Sequence, residues 1–212
     1  MINFEFSNKA FESQFVPLVE EAYEEASGLL GGVPTDTLRV QFTQGADETT
    51  GVGGFTHSEG HINLAVLEGY EDSEVQRGNL RGTVFHEALH AWQGFAYEKA
   101  PFTALEAAIY EGCALVFERQ YAGAAASYGD YSQYSEEELG GWLDEIRSIG
   151  TAYYEDTTVW QEWALYHPKY EQKWLMYKVG SWFIDRTLNK NQLDLLDLKD
   201  MTAGQILSLD IA

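Results

Sequence analysis

The chain has 212 residues, 45% hydrophobic and 14% aromatic, enough to fill one sizeable core. Its formal net charge of −21 argues against nucleic acid and against anionic membrane surfaces as partners. A single cysteine, Cys113, rules out an internal disulfide framework, and no apolar run approaches the ~18 residues of a membrane span. The opening MINFEFSNKA carries neither the basic nor the apolar part of a secretory signal. The expectation is a cytoplasmic, soluble protein folded as one domain over residues 1–212.

In chain order, Phe11, Phe15, Leu18 and Ala22 recur at helical spacing, and Gly31 and Gly32 end that helix. TLRVQFTQ alternates and reads as a strand. GVGGFTHSEGHINLAVL reads as two short strands around a turn at residues 58–60, residues 62–67 being the stronger arm. Ser73 and Gln76 have capping-box spacing and open a helix, although Gly78 and Gly82 weaken its first turns. Thr103 and Glu106 repeat that spacing before a second helix, which Gly123 stops. A surface loop leads into a helix over residues 135–149, an aromatic stretch stops at Pro168, and a further helix covers residues 171–188 before short helical pieces. The fold class is α+β: a small, mostly antiparallel sheet before residue 70, followed by helices.

The chemistry concentrates in RGTVFHEALHAWQG, which contains His86-Glu87-Ala88-Leu89-His90. Residues four apart on a helix are offset by only ~40° and ~6 Å, so both imidazoles can reach one metal ion. Glu87 sits ~100° round from His86, beside a metal-bound water without being a ligand. Zinc lowers the pKa of such a water toward ~7, and Glu87 would act as general base. A partly buried helix with hydrogen-bonded histidines is the plain alternative. Gly78, Gly82, His86, His90 and Gly94 recur every four residues, so something requires an uncluttered face around the histidines: a packed neighbour or room for substrate. The other faces carry Val84, Phe85, Ala88, Leu89, Ala91 and Trp92, which predicts burial nearly all round.

A catalytic zinc needs a third protein ligand and an open position. A third histidine six residues after the second is excluded, because that position is Ala96. Glu106, Glu111 and Glu118 stand on the next helix. Glu106 is occupied by the capping box, and Glu118, near the helix end and followed by Arg119, reads as solvated. Glu111 lies mid-helix in a stretch poor in charge, where an unpaired carboxylate is costly. It is the expected third ligand.

His86-Glu87-x-x-His90, twenty residues, then Glu111-Gly112-x-Ala114 resembles the gluzincins, the thermolysin-like zinc peptidases. AIYEGCALVFE after FHEALHAW, with a later Tyr177-x-x-Gly180, resembles more narrowly a bacterial group of predicted zinc-dependent proteases. The resemblance covers residues 60–122 well and 170–188 weakly. It implies a compact zincin-like fold, one catalytic Zn2+ on His86, His90 and Glu111, Glu87 as general base, and a peptide or protein substrate. It also implies a cleft-lining strand just before the active helix, where HINLAVL stands. Gluzincins bind the oxyanion through a tyrosine or histidine beyond the metal helices; Tyr177 is the first candidate, then Tyr166 and His167. The acidic residue that orients the first histidine in thermolysin-like enzymes falls at Leu115, which leaves that role unassigned.

His57 and His61 flank the hairpin turn and read as exposed, with substrate contact as the alternative. Tyr153, Tyr154, Trp160, Trp163 and Tyr166 form either core or a cap on the cleft. Cys113 reads as a small buried residue rather than a nucleophile. No phosphate-binding glycine loop appears. Two other functions fit the sequence: a zinc-binding regulatory protein without hydrolysis, and a helical interaction domain without metal.

Overall fold

Which strands pair, and in which direction, is the first thing the chain order leaves open. The computed structural model describes residues 3–6, 9–33, 37–42, 46–71, 73–124 and 127–211. The chain divides into two compact units: Met1–Glu98 with Phe117–Ala125, and Lys99–Val116 with Ala126–Ala212.

The first unit contains β1 (Asn3–Phe6), α1 (Lys9–Leu30), β2 (Thr37–Phe42), β3 (Val52–Ser58), β4 (His61–Val66) and α2 (Ser73–Gln93). It also holds a π-helical turn at Glu118–Ala122, ended by Gly123 with φ of 68°. The class is α+β as expected. The strand order is β1-β2-β4-β3. Hairpin β3–β4 is antiparallel as the turn at residues 58–60 requires, but β1–β2 and β2–β4 run parallel, which corrects the mostly antiparallel sheet. The reason is α1: its 22 residues carry the chain back so that β2 enters the sheet in the direction of β1. Side-chain alternation is the same in either direction, so it cannot reveal this.

A second correction follows from the strand order. β4, expected to line the cleft, is paired on both sides, to β2 and to β3. The edge strand beside α2 is β3. The start of α2 is tied to this hairpin region by Gln76, whose amide nitrogen donates to the carbonyls of Gly51 (2.9 Å) and Leu67 (2.8 Å). α1 buries Phe15, Val19, Ala22, Ala26 and Leu30, and Arg81 of α2 reaches Glu25 of α1 at 2.5 Å.

The second unit contains α3 (Ala104–Phe117, its last residue excepted), α4 (Glu136–Ile149), α5 (Ala152–Glu155), α6 (Thr157–Ala164), the two-residue strands β5 (Tyr166–His167) and β6 (Gln172–Lys173), then α7 (Leu175–Asn191), α8 (Leu195–Leu198) and α9 (Ala203–Ile211). The capping box of α3 forms as read. Glu106 N–H donates to Thr103 Oγ1 at 3.2 Å, and Thr103 N–H donates to Glu106 Oε2 at 2.8 Å. A second box, Ser135 with Glu138, opens α4. α7 starts later than residue 171, because Gln172 and Lys173 pair with β5 and Trp174 takes a left-handed φ of 60°.

α3 and α7 meet backbone to backbone. A Cβ on Gly112 would fall onto the Gly180 carbonyl, and one on Gly180 would fall onto the Ala108 carbonyl. The glycines of Glu111-Gly112 and of Tyr177-x-x-Gly180 are therefore each other's packing partners. Around the crossing Ala107, Ala108, Ile109, Cys113, Ala114, Val179 and Phe183 are buried.

Because backbone cannot move aside as a side chain can, Gly112→Ala and Gly180→Ala should each lower unfolding free energy by about 2 kcal/mol or more. Gly28→Ala in α1, where a Cβ meets nothing within 4 Å, should be neutral or stabilising by up to ~1 kcal/mol. Urea denaturation of the three variants checks the contrast.

Candidate metal centre

From Gly82 to Ala91 every residue of α2 is buried, as expected, while Trp92 is only half-buried. Within that stretch the Nε2 atoms of His86 and His90 lie 3.0 Å apart, their rings nearly perpendicular at 87°. Two imidazole nitrogens at ~2.0–2.1 Å from one tetrahedral ion stand about 3.3 Å apart, so the pair fits a shared metal after a small adjustment. The helix ends immediately beyond. Gly94 takes φ of 70°, Phe95 N–H donates to the His90 carbonyl at 2.9 Å, and the Phe95 ring packs on the His90 ring with centroids 4.8 Å apart. This is a Schellman stop, with its apolar contact made to a histidine. It fixes the backbone and one face of His90 together.

Glu118, read from sequence as solvated, is instead 3% exposed, and its Oε2 lies 3.4 Å from His86 Nδ1. Two features put it there. The π-helical turn re-aims the chain at the end of α3. Gly82, one turn before His86, makes room: a Cβ there would stand 2.5 Å from Glu118 Oε1 and 2.6 Å from Ala124 Cβ. A carboxylate further along the chain, and not the residue at Leu115, thus faces His86 Nδ1. Phe117 packs on Phe85 (centroids 5.4 Å) and holds the turn against α2.

Glu87 is 5% exposed and is held from the sheet side. Thr56 of β3, 4% exposed, donates from Oγ1 to Glu87 Oε2 at 2.8 Å. Glu87 Oε1 lies over Gly54, where a Cβ would come within 2.5 Å of it. The glycines of GVGG and of the helix therefore have separate reasons. Gly54 admits Glu87, Gly82 admits Glu118, Gly94 turns the chain, and at Gly78 there is open space.

Glu111 stands on α3 two turns before Glu118, on the same helical face. His86, His90 and Glu111 are a group of ligand-type side chains able to hold one metal ion. Near Glu111 lie Tyr153 and Tyr154; burial first, and the Glu111 charge second, push both phenols well above their usual range. Tyr177, half-buried on α7, packs edge-on against Tyr128 with centroids 5.5 Å apart. Tyr166 is exposed, and His167 is buried between Trp163 and Tyr170 with its pKa lowered by burial. His57 and His61 pack edge to face, and Tyr97 stacks on His57. Of the aromatic cluster, Tyr153 and Trp163 are core while Trp160 and Tyr166 are exposed. Cys113 is buried, as expected. The sequence offers Glu118 only as a metal-ligand candidate and does not single out Thr56; the signals for Glu118 beside His86 are Gly82 one turn before that histidine and the seven-residue spacing from Glu111.

Residues 16–208 match the family model described as "Predicted Zn-dependent protease (DUF2268)". No curated protein and no solved structure matches the chain.

Removing a carboxylate that orients a metal-ligating histidine costs ~10- to 100-fold in metal affinity. Glu118→Ala should therefore weaken zinc binding by that factor in a chelator competition. Gly82→Val, which pushes the Glu118 carboxylate away, should act in the same direction.

Proposed function

The chain belongs to that family of predicted Zn-dependent proteases, and we propose that it is a gluzincin-type peptidase that hydrolyses peptide bonds with one zinc ion. The observation that carries the proposal is the joint placement of two facing imidazole nitrogens, an acidic partner for one of them, and a buried glutamate locked to an edge strand. His86, His90 and Glu111 would hold the ion. When bound, zinc supplies a Lewis acid for the scissile carbonyl and a water of lowered pKa.

The chain's own residues do the rest. Glu87, adjacent to the ligand His86 in sequence, takes a proton from the attacking water and delivers it to the leaving amine. Thr56 keeps its carboxylate from swinging, because the donated hydrogen bond selects one orientation. Glu118 fixes the ring plane of His86. Tyr177 is the proposed oxyanion donor. Its support is that it stands one turn before Gly180, at the point where α7 touches α3 next to Glu111. β3, the edge strand joined to Glu87, is the proposed support for an extended peptide or protein substrate. No helix among the described residues is long and apolar enough to cross a membrane. The single buried cysteine suits the cytoplasm proposed as its location.

The test is Glu87→Gln beside wild type and Glu111→Ala. Metal content and digestion of an unbiased peptide library are measured on all three. Glu87→Gln should keep stoichiometric zinc and lose at least roughly a hundredfold in kcat, whereas Glu111→Ala should lose zinc. Equal cleavage by wild type and Glu87→Gln rules out the assigned general base; unchanged zinc affinity in Glu111→Ala rules out the assigned third ligand.

A further inference from the structure

Phe55 and Tyr97 are large side chains left 46% and 61% exposed, and they touch, with ring centroids 5.6 Å apart. The Tyr97 ring also stacks on His57 at 6.1 Å and 23°, so it spans two alternate residues of β3. Thr56, between those two, points the other way and donates to Glu87. The aromatic patch therefore lies on the face of β3 turned from Glu87, and none of the roles assigned above uses it. The backbone of β3 decides what can reach it. Leu67 N–H donates to the Gly51 carbonyl at 2.8 Å, in line with the pairing of Val52 and Val66, so Gly51 turns its carbonyl toward β4. Main-chain groups alternate in direction along a strand. Gly53 and Phe55 thus also face β4, while Val52, Gly54 and Thr56 face outward. The Val52 carbonyl is accordingly taken from outside, by Asp47 N–H at 3.0 Å. Beyond it no described residue pairs with the outward backbone of Gly54 or Thr56, and Gly54 is exposed. The open main-chain edge begins at the two residues that touch Glu87.

We propose that Phe55 and Tyr97 form a specificity subsite for one bulky apolar side chain, aromatic or branched aliphatic, of an extended peptide substrate laid along β3. A chain paired antiparallel with Gly54 and Thr56 places one of its residues directly opposite Phe55. Directly opposite residues share a face of the sheet, so that side chain turns away from Glu87 and onto Phe55 and Tyr97. The pair is a non-hydrogen-bonded one, in which side chains stand closest. The neighbours of that substrate residue turn toward Glu87 instead. Two exposed aromatic rings favour an apolar partner that removes their surface from water. The main chain supplies the pairing and the aromatic patch supplies the choice. This rests on the peptidase reading above and deepens it by naming a side chain that the enzyme selects.

The experiment compares wild type with Phe55→Ala, Tyr97→Ala and Phe55→Glu, all as full chains. Zinc content and thermal unfolding come first. Because both side chains are largely exposed, the variants should keep stoichiometric zinc and unfold within a few degrees of wild type. Loss of zinc or of the fold in all three assigns the pair to stability and overturns the proposal. A random octapeptide library is then digested and the cuts read by mass spectrometry. In wild type, one position at a fixed distance from the cut should favour Phe, Tyr, Leu and Ile over Ala by roughly tenfold in kcat/KM. Each alanine variant should lower that ratio by roughly threefold or more, with the preferences at the two adjoining positions unmoved. Phe55→Glu should turn the same position toward Lys and Arg. An absent preference in wild type, or one that survives all three substitutions, overturns the proposal. Should wild type cleave nothing, the peptidase reading fails, and calorimetric binding to the Glu87→Gln protein decides separately, using octapeptide pools with Phe or Ala fixed at one position. Tighter binding of a Phe pool that Phe55→Ala abolishes supports the subsite, and equal or absent binding overturns it. Self-association that Phe55→Ala removes, seen by sedimentation, assigns the patch to a second copy of the chain and overturns it as well.

Discussion

Burying two carboxylates beside two imidazoles is the constraint on which the first unit depends. Glu87 and Glu118 are each at most 5% exposed, and a carboxylate removed from water is costly unless hydrogen-bonded or paired. Each receives its compensation from a different element. Thr56 of β3 donates to Glu87, and His86 of α2 faces Glu118. Each also needs space that an ordinary side chain would fill, and in each case a glycine leaves that space: Gly54 for Glu87 and Gly82 for Glu118. The sheet edge, α2 and the π-helical turn are thereby held together at one small polar centre.

The second unit depends on a different use of glycine. At Gly112 and Gly180 no side chain is being accommodated; two backbones touch. That contact sets the separation of α3 and α7, and it fixes the turns that bear Glu111 and Tyr177 within a packing of small residues, Ala107, Ala108, Cys113 and Ala114. A glutamate and a tyrosine that look unrelated in the sequence are thus positioned by one crossing. Rigid placement of this kind is what a site needs if its donors are to act without first rearranging.

Much of the fold was legible because local rules act within one element. α1, the hairpin, α3 with its Thr103–Glu106 cap, and α4 stand within a few residues of where the sequence pattern placed them. The late start of α7 was hidden because the two-residue β5–β6 ladder has no pattern of its own. Parallel pairing was hidden because alternation is blind to strand direction. Glu118 was misjudged for a related reason. A helix end followed by Arg119 is exposed in most settings, and only the approach of α2 at Gly82 encloses it.

By itself the sequence determined the candidates: which residues are histidines at four-residue spacing, which glutamate follows the first of them, and which glutamate lies mid-helix in a stretch poor in charge. Those assignments follow from the helical repeat and from the cost of an uncompensated charge, both of which act over one or two turns. Only the tertiary structure decided the partners. That Thr56 steadies Glu87, that Glu118 faces His86, that β3 rather than β4 is the edge, and that Gly112 meets Gly180 all depend on residues tens of positions apart. Close approach of distant backbone is a property of packing, and a one-dimensional pattern carries its trace only as glycines whose reason appears once their neighbours are known.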